Sequence, residues 1–129
     1  MSLFPQMSES ELLVMEIVWR ANGNITSAQI IEQLEPDTGW KPSTVWTFLG
    51  RLVDKGFLRA ERSGKRSFYF PNLSKEEYRQ AQTKAFLQTV HGGSVKSFFA
   101  ALSGDNELNA EELEELKTWL LRETGGDKP

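Results

Sequence analysis

KPSTVWTFLGRLVDKGFL, residues 41–58, is the stretch on which the reading of this chain turns. Pro42 suits the first position of a helix, where its missing N–H is harmless. Val45, Phe48, Leu49, Leu52 and Val53 recur at i, i+3, i+4, i+7 and i+8, which marks a buried face. With each residue turning the helix by about 100°, Ser43, Thr47, Gly50 and Asp54 point the opposite way. Thr44 and Arg51 flank that outward face on one side and Trp46 on the other, and Gly56 ends the helix. A face that meets only water ordinarily carries Lys and Glu, whereas this one is built of short hydroxyls, a glycine and a tryptophan. Short hydroxyls allow the close approach and hydrogen bonding that a recognition helix needs in the major groove of DNA. Ser and Thr are also common at helix N-termini simply as caps, so the helix alone leaves both readings open.

The charge distribution around this stretch bears on the choice. The chain of 129 residues has a net charge of −3, which taken alone argues against a nucleic-acid partner. Residues 1–40, however, hold one base against six acids, a net of −5, and residues 71–129 hold a net of −3. Residues 41–70 between them hold seven bases and two acids, a net of +5.

Downstream, FLRAERSGKRSFYF reads as two strands joined through RSGK, with inward alternation at Leu58 and Ala60 and again at Phe68 and Phe70. The basic turn at Arg62, Lys65 and Arg66 sits where a wing would lie along a sugar-phosphate chain, although a charge run is often only a solvated loop. Upstream, Ser8 with Glu11 is a capping box that opens a helix with an apolar stripe of Leu12, Leu13, Met15, Ile17 and Trp19, and Gly23 suits the left-handed position past its end. A short β-branched NIT follows, Thr26 with Gln29 caps a second helix, and EPDTGW reads as turn chemistry. The order helix, short strand, helix, helix, hairpin is that of a winged helix-turn-helix. Its expected core is Leu12, Met15, Ile17, Trp19, Ile30, Leu34, Val45, Phe48, Leu52 and Phe68.

After Pro71 the pattern changes. A helix capped by Ser74 and Glu77 runs to a Gly pair, SVKSFFAAL makes a short apolar helix, and Asn109 with Glu112 caps a third that carries Leu113, Leu116, Leu120 and Leu121. Three helices in so short a segment do not easily enclose a core, so they are expected to close it against a second copy of the chain. The expected fold is mainly α with a small β-hairpin. A winged helix-turn-helix would span residues 1–73, and a helical dimerisation region residues 74–129, ending in a disordered tail, TGGDKP. The dimerisation candidates are Tyr78, Phe86, Leu87, Phe98, Phe99, Leu102, Leu113, Leu116 and Leu120. Ser43, Thr44, Trp46 and Thr47 are the candidate base-facing residues, and Lys41, Arg51, Arg62, Lys65 and Arg66 the phosphate contacts. Trp46 has two open readings: packing on a thymine methyl or sugar, or folding back over the adjacent helix.

Other functions find little support. With no cysteine there is no disulfide, thiolate nucleophile or Cys-based metal site. His91, the single histidine, precedes a Gly pair and reads as a capping residue. No nucleophile sits with a base partner and no glycine loop cradles phosphate, so neither an enzyme nor a bound cofactor or metal is expected. No apolar run approaches the roughly 20 residues of a membrane span, and the start lacks a basic-then-apolar signal. The expectation is a cytoplasmic protein without membrane insertion. The rival to DNA binding is a winged-helix module that scaffolds a protein complex.

The stretches MSESELLVMEIVW, STVWTFLGRLVDKGFL, SFYFPNLSKEEY and KSFFAALSGDNELNAEELEEL, from Met7 to Leu116, resemble the penicillinase repressors of the BlaI/MecI type. The resemblance implies a dimeric repressor whose winged helices bind double-stranded DNA at an inverted-repeat operator and whose C-terminal helices pair. It also implies a partner, a membrane sensor-protease responding to β-lactam, whose signal leads to cleavage in the C-terminal part and loss of the dimer. Two departures stand out. Trp46 occupies a position where such members carry Arg, and Ala101-Leu102 stands where they carry an Asn-Phe cleavage pair. The Cys motif of copper-responsive relatives is absent.

Overall fold

The computed structural model describes residues 6–104 and 109–124. Reciprocal capping starts its helices where the sequence signals them. Glu11 N–H donates to Ser8 Oγ at 3.1 Å and Ser8 N–H to Glu11 Oε1 at 2.9 Å, opening α1 (Glu9–Arg20). The same exchange between Thr26 and Gln29 joins β1 (Ile25–Thr26) to α2 (Ser27–Thr38). Then come α3 (Pro42–Asp54), β2 (Leu58–Ser63), β3 (Arg66–Pro71), α4 (Lys75–His91), α5 (Val95–Gly104) and α6 (Ala110–Thr124). The strands form one antiparallel sheet in the order β1-β3-β2. The chain is thus mostly helical with a small sheet, and its first six elements follow the winged-helix order.

The core lies between α1, α2, α3 and the sheet; in three places it is phased differently from the expected pattern, and α2 runs past its expected end. On α1 the buried line is Glu11, Val14, Met15, Ile17 and Val18, while Leu13 is exposed and Leu12 and Trp19 pack at the edge. On α3, Val45, Leu49 and Leu52 are buried, Phe48 is half-buried and Val53 is exposed. In the hairpin, Tyr69 faces the core, opposite Ile25 and Ala60, whereas Phe68 and Phe70 are half-buried on the other face and Ala60 is exposed. That outer face is sheltered by a long side chain, since the Arg59 guanidinium lies 4.9 Å from the Phe70 ring centroid. Finally, Glu35 to Thr38 continue α2 instead of turning, with Pro36 inside it. The Thr38 hydroxyl donates to the Leu34 carbonyl at 2.8 Å, Gly39 N–H donates to the Glu35 carbonyl, and the left-handed Gly39 closes the helix.

Gly23 is left-handed as expected, and a second constraint acts there: a Cβ would meet Pro71 Cδ at 3.0 Å, which seats the α1–β1 turn against the end of β3. Glu11, only 2% exposed, is held by Lys55 Nζ at 2.7 Å, which ties α1 to the end of α3. Burial pushes its carboxyl pKa up, but the Lys55 ammonium and the Ser8 N–H outweigh burial and hold it below the ordinary value.

The chain divides into two compact units, 1–83 and 84–129, so the division falls within α4. Tyr78 lies on the first-unit side of that division. Assigned to dimerisation from sequence, it is instead 7% exposed in the core of the first unit, with its ring 5.5 Å from Phe57 and 6.1 Å from Trp19. Its hydroxyl accepts from Met7 N–H at 3.1 Å. In the second unit Phe86, His91 and Phe98 meet edge to face, and His91 Nδ1 lies 2.8 Å from Ser97 Oγ. That unit exposes a series of apolar side chains: Phe86, Val90, Val95, Leu113, Trp119, Leu120 and Leu121. Of the expected disordered tail, residues 124–129, Thr124 is the last residue of α6, and residues 125–129 lie outside the described residues. No helix among the described residues is long and apolar enough to cross a membrane.

Candidate nucleic-acid interface

Among the described residues α3 differs from the other five helices at its start. Ser8, Thr26, Ser74, Ser94 and Asn109 each accept a backbone N–H at the N-terminus of their helix. The N-cap of α3 is Lys41, which makes no side-chain capping bond. The hydroxyls of Ser43 and Thr44 are therefore not caps, and among the described residues they have no hydrogen-bond partner. Ser43 and Thr47 are exposed and Thr44 is half-buried. Thr47 Oγ1 donates its one proton to the Ser43 carbonyl at 3.0 Å, leaving its lone pairs and methyl group outward. Gly50 is exposed, and nothing lies within 4 Å of where its Cβ would stand. Its lack of a side chain is not imposed by packing within the chain.

The seven cations of residues 41–70 separate into two sets. Lys55 binds Glu11 and the Gln6 carbonyl, and Arg59 binds Glu61 at 3.1 Å and covers Phe70, so both serve the fold. Lys41, Arg51, Arg62, Lys65 and Arg66, the sequence-derived phosphate candidates, are exposed and have no ion-pair partner among the described residues. Arg51 lies 5.8 Å from the Phe48 ring centroid on α3. Lys41 sits at the start of α3, and Arg62, Lys65 and Arg66 cluster at the hairpin tip, where Ser63 pairs with Arg66 across a two-residue turn that Gly64 enters at φ +64°.

Between α3 and this tip runs a groove of about 530 Å³ lined by Trp46, Arg62, Lys65 and Arg66, and by Thr26 and Gln29 at the start of α2. The α2 contribution was missed from sequence. The Thr26–Gln29 capping pair was legible, but not that pairing of β1 with β3 carries it beside the hairpin. Trp46 is 47% exposed, so it does not fold back as peripheral core. Trp40 fills that role, with its ring 5.0 Å from Phe48. Such a surface can donate and accept hydrogen bonds, stack and neutralise anions. Among the described residues no three potential metal-ligating side chains come together.

The dimerisation candidates other than Tyr78 lie in the second unit. Phe86, Leu113 and Leu120 are exposed, and Leu87, Phe98, Phe99, Leu102 and Leu116 are half-buried. Ala101 and Leu102 lie within α5.

Comparison with known proteins gives concordant results. The family model of the penicillinase repressor matches residues 7–122. A penicillinase repressor of Bacillus licheniformis is 31% identical over 116 residues, 90% of each chain. The methicillin resistance regulatory protein MecI of Staphylococcus aureus is 27% identical over 115 residues, 89% of this chain and 93% of that protein. Among solved structures, the DNA-binding domain of the repressor BlaI superposes with a TM-score of 0.53 at 35% identity, over 60% of this chain and 94% of that domain. The monomeric form of Bacillus licheniformis BlaI in complex with the blaP half-operator gives a TM-score of 0.51 at the same identity and coverage.

Proposed function

The chain belongs to the penicillinase repressor family, and from that premise we propose that it is a transcriptional repressor that binds double-stranded DNA as a homodimer at an inverted-repeat operator. The observation that carries this reading is the start of α3, uncapped and without a charged side chain from Pro42 to Gly50, beside a cluster of wing cations without ion-pair partners among the described residues. Ser43, Thr44 and Thr47 read base edges from the first turns of α3. Because the Thr47 proton is already donated, that side chain serves as an acceptor, suited to adenine N6 or cytosine N4, or as an apolar partner for a thymine methyl. Lys41, Arg51, Arg62, Lys65 and Arg66 neutralise phosphates and contribute affinity without sequence choice. The half-operator complex of BlaI supports one winged helix per half-site.

The exposed apolar side chains of the second unit support pairing there with a second copy. Release by a sensor-protease, as the family resemblance implies, would act in α5. A cut between Ala101 and Leu102 would detach α6 and its leucines from the pairing surface.

Mobility shift on DNA upstream of its own gene tests the reading against that of a protein-scaffolding module, which would leave this DNA unbound. Thr44→Ala and Thr47→Ala are each expected to weaken operator binding by about 1–3 kcal/mol while leaving binding to unrelated DNA nearly unchanged. Equal losses on both DNAs would make these residues backbone contacts. Lys65→Ala and Arg66→Ala are expected to weaken both kinds of binding alike and to flatten the log–log salt slope by about one unit for each lost phosphate contact. An unchanged slope would take the wing off the DNA.

A further inference from the structure

We propose that Trp46 seats the DNA backbone and does not read bases: its indole packs on the deoxyribose face of the strand that runs in the groove between α3 and the wing, and raises affinity for every sequence alike. The inference rests on the DNA-binding reading above and moves Trp46 out of the base-facing set.

Three observations carry it. First, Trp46 lies on the flank of α3, about 60° around the helix from Ser43 and about 100° from Thr47, and it lines the groove shared with the wing. Second, the wing side of that groove presents Arg62, Lys65 and Arg66 without carboxylate partners among the described residues. When α3 enters the major groove and the wing reaches past it, the strand dividing the two grooves of the duplex must pass between them. Its phosphates complement these cations, which leaves its sugars for the opposite wall. Third, beside the polar start of α2, α3 contributes an amphipathic ring to that wall. Trp46 is 47% exposed and its N–H has no partner among the described residues, so the indole can cover a sugar with its face and donate to a phosphate oxygen from its edge.

The test uses the full chain on two duplexes of equal length, the DNA upstream of its own gene and a scrambled version, each titrated over a range of salt. Trp46→Ala is expected to weaken binding to both by about tenfold, as loss of a desolvated apolar contact. The ratio between the duplexes should hold, and so should the salt slope, because no charge is removed. Trp46→Arg should restore binding to both and steepen the slope by about one unit, since a cation on that wall meets a phosphate. A loss with Trp46→Ala confined to the own-gene duplex, no loss on either duplex, or a Trp46→Arg gain restricted to particular sequences would each overturn the proposal. Failure of the unsubstituted chain to bind either duplex would instead sink the DNA-binding reading and take this proposal with it.

Discussion

Tyr78→Ala is expected to destabilise the winged-helix unit by about 3–5 kcal/mol, the cost of emptying a large aromatic from a packed core. The ring sits between Phe57, which follows α3, and Trp19 on α1, so its loss opens a cavity bounded by elements that cannot collapse without moving α3. Tyr78→Phe separates packing from polarity. It keeps the ring and removes the acceptor of the Met7 N–H, which should cost only about 1 kcal/mol. Urea unfolding of residues 1–83 measures both. A loss below about 1 kcal/mol for Tyr78→Ala would mean that α4 is not part of this core, and that the boundary belongs at the end of β3 after all.

Tyr78 also shows where sequence reading stops. Its helix was legible from Ser74 and Glu77, because a capping box is a local signal. Which body its apolar residue would enter was not, because that depends on where α1 and the α3–β2 turn end in space. The same distinction holds elsewhere. The order of elements through the hairpin, Pro42 as the opening of α3 and the positive φ of Gly23 all follow from nearest neighbours in sequence. The phase of burial depends on tertiary contacts: Val14 and Val18 are buried in place of Leu13, and Tyr69 in place of its neighbours Phe68 and Phe70. At the candidate interface the cations expected at phosphates have no ion-pair partner among the described residues, since the acids that engage Lys55 and Arg59 are two particular residues, Glu11 and Glu61. The wall supplied by Thr26 and Gln29 was not, since only strand pairing between β1 and β3 brings it there.

Removing the second unit should produce the largest functional loss of any change proposed. A fragment of residues 1–83 retains the hydrophobic core, including Tyr78, and a 35% identical relative of similar extent has been solved as an isolated DNA-binding domain. The fragment should therefore stay folded, whereas one ending at Leu73 lacks Tyr78 and should unfold far more readily. Folding, however, is not sufficient for tight binding. On the proposed reading each head meets one half-site, and joining two heads turns the second contact into an intramolecular event, so the fragment should bind the full inverted repeat about 100-fold to 10,000-fold more weakly than the intact chain. A duplex carrying a single half-site provides the control. On that reading only one head can engage it, so the gap between fragment and intact chain should nearly close, which a fragment damaged in its proposed DNA-binding face could not reproduce. Circular dichroism establishes the fold of both fragments, and titration of the two duplexes gives the affinities. If the folded 1–83 fragment binds the full repeat within about threefold of the intact chain, well inside the range avidity would open, then residues 84–129 are not the pairing device. Cleavage between Ala101 and Leu102 would then have no means of releasing the operator.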